Sequence, residues 1–139
     1  MANEERNIKH ECAEYAYQSV EDIINLNNED IQKKYRSEVM STGARIKGSG
    51  LMQTLAFYSS KDEPHFLKLT LHLLKWILKD EQVNGKSLNT EKWDEDKEQT
   101  MKIFSFLLNK TDGEMIYYTQ MALDVTEWLK RFSDARLKE

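Results

Sequence analysis

One cysteine, one proline, five glycines and three histidines occur in these 139 residues, and each scarcity excludes something. A lone Cys12 cannot close an intrachain disulfide and leaves no cysteine-based zinc site. It falls on the apolar side of a helical pattern, which reads as a buried, inert thiol. Few breakers and only short β-branched runs favour an all-α protein. No apolar run approaches 18 residues, and the opening MANEERNIKHE has no signal-type apolar stretch, so the expected location is the cytoplasm, with no membrane partner. His65 and His72 stand seven apart with no third metal-type ligand at suitable spacing; solvated or locally paired histidines are expected, and neither a metal nor another cofactor. The carboxylates lie in polar runs with no apolar pocket to separate their pKa values, the serines lack a nucleophile elbow, and Cys12 has no suggestive histidine. A noncatalytic binding or assembly role is the expectation.

What is present is a single domain's worth of chain, residues 1–139, long enough to bury roughly 68–70% of its unfolded surface. Its charge is segregated. The net charge is −4, yet residues 1–30 carry −6, residues 31–79 carry +6 and residues 80–139 carry −4. The central block can attract a polyanion, or pair with acidic segments of its own fold or of a partner.

Periodicity predicts a bundle of five or six helices. The first runs from about Asn3 to Leu26 with Ile8, Cys12, Tyr15, Ala16, Ile23 and Ile24 inward. Asn28 is placed to cap the second, with Glu29 and Asp30 in its first turn, giving an antiparallel helical hairpin. Ile31, Tyr35, Val39 and Ile46 of that second helix share one face. Gly48-Ser49-Gly50 then makes a corner, and Leu51, Leu55 and Tyr58 resume a helical stripe. A helix opening at Pro64, with Asp62 and Glu63 as cap and dipole partners, is apolar over most of its circumference and should be central. Its remaining stripe is Lys68, His72, Lys75 and Lys79. Gln82 to Glu98 reads as irregular, with a turn at Asn84-Gly85 and Trp93 as an anchor or partner contact. Helices from Thr100 to Asn109 and from Glu114 to Arg136 complete the chain, the last presenting Met115, Tyr118, Met121, Ala122, Val125, Trp128, Leu129 and Phe132 on one side.

Within the span from Tyr35 to Lys61, Arg45-Ile46-Lys47, Gly50-Leu51, Gln53-Thr54-Leu55-Ala56-Phe57 and Ser60-Lys61 together resemble the signature I-(R/K)-x-x-G-L-x-x-x-L-A-F-x-x-(S/A)-K. That is the signature of the small helical subunit of type III-B (Cmr) CRISPR RNA-guided effector complexes. A proline often precedes the isoleucine in that family; here Ser41-Thr42-Gly43 occupies the region.

The resemblance implies a noncatalytic antiviral-defence subunit that stacks along a ribonucleoprotein filament beside backbone, large and neighbouring small subunits. It would help hold target RNA paired to guide RNA, with cleavage left to other subunits. From the residues alone, Lys34 and Arg45 on one flank of the second helix, and Arg36 and Lys47 on the other, are either solvated or phosphate contacts. With the resemblance, the candidate RNA contacts are Lys34, Arg36, Arg45, Lys47 and Lys61, with Lys68, Lys75 and Lys79 as a second ridge. The alternative is a helical adaptor whose basic block binds an acidic protein and touches no RNA.

Overall fold

Helix punctuation explains the element boundaries. The computed structural model describes residues 2–83, 86–87 and 97–137. Helix α1 (Ala2–Asn25) buries Cys12, Ala16, Val20 and Ile23, which recur at helical spacing. It is followed by Asn27 at φ 53°, a left-handed conformation that asparagine tolerates. Asn28 caps α2 (Glu29–Ser49) by accepting the Ile31 amide at 3.0 Å, with Glu29 and Asp30 facing the positive end of the dipole. Helix α2 continues unbroken through Ser41, Thr42 and Gly43, so the chain dispenses with a proline there without loss of helical geometry.

The corner is one residue wide. Gly50, at φ 90° and ψ 159°, donates its amide to the Ile46 carbonyl at 2.8 Å and launches α3 (Leu51–Ser59). Only glycine reaches that backbone region without strain. Helix α4 (Pro64–Ile77) has proline in its first turn, and Glu63 at the N-cap makes no side-chain capping bond. The expected carboxylate cap is thus replaced by an ion pair, since Glu63 Oε2 lies 3.3 Å from Lys34 Nζ. Leu69, Leu73, Leu74 and Ile77 of α4 are buried in the main core, and each such side chain contributes about 1.5–3 kcal/mol on burial.

A two-residue antiparallel pair, β1 (Gln82–Val83) with β2 (Lys86–Ser87), stands where the sequence pattern offered only a turn. The Asn84-Gly85 turn itself and Trp93 lie outside the described residues. Helix α5 (Lys97–Leu108) buries Ile103, Phe104 and Leu107. Helix α6 (Asp112–Arg136) begins with a full capping box between Thr111 and Glu114, so its start precedes the expected Glu114 by two residues. Six helices are thus present among the described residues, and the fold is all-α.

Helix α6 packs against α1, α2 and α4. Tyr17 meets Phe132 edge-on at 5.5 Å and Glu21 pairs with Arg136, so α1 and α6 run in the same direction. Arg36 pairs with Asp134, while Gly43 faces Thr126, so α2 runs the opposite way. The expected antiparallel relation of α1 and α2 holds, with α6 lying against both. Two expectations need correction. Trp128 is 37% exposed instead of lying with the buried side of α6. The histidines of α4 are not solvated: His65 and His72 are both buried, so the stripe from Lys68 to Lys79 is interrupted by a core residue. His72 is the paired kind, bonded through Nδ1 to the Tyr35 hydroxyl at 2.7 Å and lying 3.8 Å from Asp22.

Candidate nucleic-acid interface

The glycine corner gathers basic side chains around one ring. Phe57, on α3, is 38% exposed. The Arg45 guanidinium, projecting from the last turns of α2, lies 4.8 Å from the ring centroid, and the Lys61 ammonium, just beyond α3, lies 4.9 Å from it. The negative face of an aromatic ring attracts cations, so Phe57 organises two positive groups that would otherwise repel. Phe57 is in turn positioned by an edge contact with Phe66 of α4 at 6.2 Å. Glu38 approaches Arg45 at 3.6 Å and partly offsets its charge. Lys47, two residues along α2 from Arg45, is exposed and lines a shallow groove with Asp124 and Glu127 of α6.

The other candidates are engaged elsewhere. Lys34 bridges Asp30 at 3.2 Å and Glu63 at 3.3 Å, and these hydrogen-bonded carboxylates raise its pKa. Arg36 turns toward α6 and its Asp134. Lys79 pairs with Asp80 at 3.0 Å, reaches Glu11 at 3.9 Å and lies 5.0 Å over the Trp76 ring. Lys68 and Lys75 are half-buried around Asp22, whose carboxyl is held below its usual range first by His72 and then by these two lysines. The structure therefore brings together Arg45 and Lys61, turns Lys47 toward α6, and distributes the remaining five among ion pairs and helix contacts.

Two further features define the corner. The Gly50 amide is occupied by the Ile46 carbonyl, and the Gly50 carbonyl accepts from both the amide and the hydroxyl of Thr54, at 3.1 and 2.8 Å. The backbone at Gly50 is therefore engaged by the helix ends. Phe57, on the exposed side of α3, is the organising side chain. The signal that finds it is the four-residue step from Phe57 to Lys61, a helical neighbour spacing for a ring and a cation.

Residues 8–136 match the family described as CRISPR-associated protein (Cas_Cmr5). The chain belongs to the Cas_Cmr5 family. It is a small subunit of the type III-B, or Cmr, CRISPR complex, and the match covers all six helices but for the start of α1. Among the described residues of this Cmr subunit, no group of three or more His, Cys, Asp and Glu side chains is placed to hold a metal ion. Cys12 is buried, and burial followed by the nearby Asp124 charge pushes its thiol up to about 11. Such a thiol is protonated at neutral pH and a poor nucleophile. Among the described residues no helix is long and apolar enough to cross a membrane.

Proposed function

We propose that this Cmr subunit is noncatalytic, stacks along the effector filament and helps hold guide-paired target RNA through backbone contacts at the α2–α3 corner. The observation that carries the reading is the pair of cations, Arg45 and Lys61, set on the exposed ring of Phe57. Arginine offers a planar fork to phosphate oxygens and lysine a point charge, and neither discriminates bases through the backbone. Guide pairing would supply sequence discrimination, and the protein would supply charge and shape complementarity to a strand.

The test is a Cmr complex reconstituted with Lys47→Ala/Lys61→Ala, two exposed changes, and separately with Arg45→Gln. Target RNA should be retained less well by the complex, independently of its sequence, while the subunit is incorporated normally. Removing one phosphate-binding side chain should flatten the salt dependence of retention by about 0.7 in the log–log slope expected for a single strand. The adaptor reading, favoured by the carboxylates that Lys34, Arg36 and Lys79 of the same basic block already meet, gives the corner cations to an acidic protein partner instead of RNA. It predicts the reverse: incorporation fails and RNA retention per incorporated subunit is unchanged.

A further inference from the structure

Helices α1, α4 and α6 enclose a groove of about 610 Å³ that is chemically unlike the basic corner. Cys12 and Trp76, both buried, and the half-buried Met121 line it, with Tyr117 and Trp128 as its exposed aromatics, at 59% and 37%. Trp128 is steadied by stacking on Phe132 at 5.7 Å. Asp124 and Glu127 stand on the α6 side of the same groove, and neither forms an ion pair among the described residues. Of the two lysines there, Lys79 is already engaged by Glu11, Asp80 and the Trp76 ring, leaving only the exposed Lys9 on the α1 side. The negative field of Asp124 reaches the groove interior, where it adds to burial in raising the Cys12 thiol.

We propose that this groove seats a lysine- or arginine-bearing segment of a different protein subunit of the complex, its cation against Trp128 and Tyr117 and its charge facing Asp124 and Glu127. Tryptophan is the strongest aromatic partner for a cation, and a long basic side chain covers apolar surface such as Met121 with its alkyl stem. Two carboxylates beside the aromatics oppose a phosphate in this groove. The inference rests on membership of the Cmr complex and is independent of the RNA reading.

The experiment uses the assembled complex. Asp124→Asn/Glu127→Gln changes two surface carboxylates without altering side-chain volume, so folding, checked by circular dichroism, should be retained. Subunit incorporation should weaken about fivefold, the equivalent of two exposed ion pairs, and should become less sensitive to salt. A photo-reactive p-benzoylphenylalanine at position 117 should cross-link to a lysine- or arginine-containing peptide of a different subunit. Unchanged incorporation of the double variant overturns the proposal. So does cross-linking to RNA, or to a second copy of this chain.

Discussion

Tyr35→Phe removes one oxygen from the middle of the bundle and leaves the ring's apolar contacts in place. Tyr35 is fully buried, and its hydroxyl lies 2.7 Å from Nδ1 of His72, itself only 6% exposed. The other ring nitrogen, Nε2, faces the Asp22 carboxylate at 3.8 Å. An ionised carboxylate only accepts, so Asp22 favours the tautomer with the hydrogen on Nε2, in which Nδ1 accepts from the tyrosine. Deleting the hydroxyl leaves Nδ1 buried without a donor, a loss of about 1–3 kcal/mol and more than an ordinary hydrogen bond is worth. A loss of about 2 kcal/mol lowers the urea midpoint by about 1 M for a small domain. At this chain length it lowers Tm by about 6–8 °C. The assay is urea unfolding followed by circular dichroism. Tyr15→Phe is the control: its hydroxyl donates to the His72 carbonyl at 2.6 Å, and that carbonyl lies within the α4 helical ladder and keeps its backbone partner, so the loss should be nearer 1 kcal/mol. In a double-mutant cycle, Tyr35→Phe with His72→Leu should be less destabilised than the sum of the single changes, because the orphaned nitrogen is gone. A Tyr35→Phe protein within about 0.5 kcal/mol of wild type, below the cost of a buried unsatisfied acceptor, would falsify this account of the core.

Burial holds both His72 and His65 below the usual imidazole pKa, so below pH 6.5 the unfolded chain binds protons that the folded chain refuses. Stability is therefore full above pH 6.5 and falls toward the depressed folded values, by at most about 1.4 kcal/mol per pH unit for each histidine; urea midpoints between pH 7.5 and 5.5 check this, and a flat profile contradicts it. Gly50→Ala should destabilise by about 1–3 kcal/mol with little change in helicity, because the φ of 90° is strained for alanine although no neighbouring atom crowds a new Cβ. Loss of the capping box by Thr111→Ala should lower stability by about 1 kcal/mol in the same unfolding assay, and Thr111→Ser should retain most of it.

Much of this architecture was legible because its signals are local. Asn28, the glycine corner, Pro64 and the i, i+4 stripes of Tyr35, Val39 and Ile46 act within a turn or two of helix, and all recur in the structure. What was not legible depends on which helix meets which. His72 looked like part of a lysine stripe because a helical wheel cannot register that Tyr15, Asp22 and Tyr35 close over it from α1 and α2. Trp128 looked internal because its spacing matches Leu129 and Val125, yet its position around α6 opens onto a groove. The candidate basic residues were found by charge alone, and charge does not tell a cation offered to a ligand from one that ties helices together.

The segregation of charge along the chain bears on that distinction. Asp134 and Asp80, from the acidic last segment, and Glu11, from the acidic first one, meet Arg36 and Lys79 of the basic block. Such pairs are individually weak, about 0.2–1 kcal/mol at the surface. Their arrangement still favours one neighbour for each helix, because other pairings would oppose like charges. The field available to an external polyanion is consequently smaller than the +6 of residues 31–79 and is concentrated at the corner of Arg45 and Lys61. Screening at physiological salt confines exposed charges to a range of about 8 Å. On the proposed reading, a patch this small gains affinity from repetition. Guide pairing holds the target within reach of successive subunits, and several weak contacts act at high effective concentration. RNA retention should then fall more steeply than linearly as wild-type subunits are replaced by the Lys47→Ala/Lys61→Ala variant in mixed assemblies. A strictly proportional fall would mean that each subunit holds RNA independently.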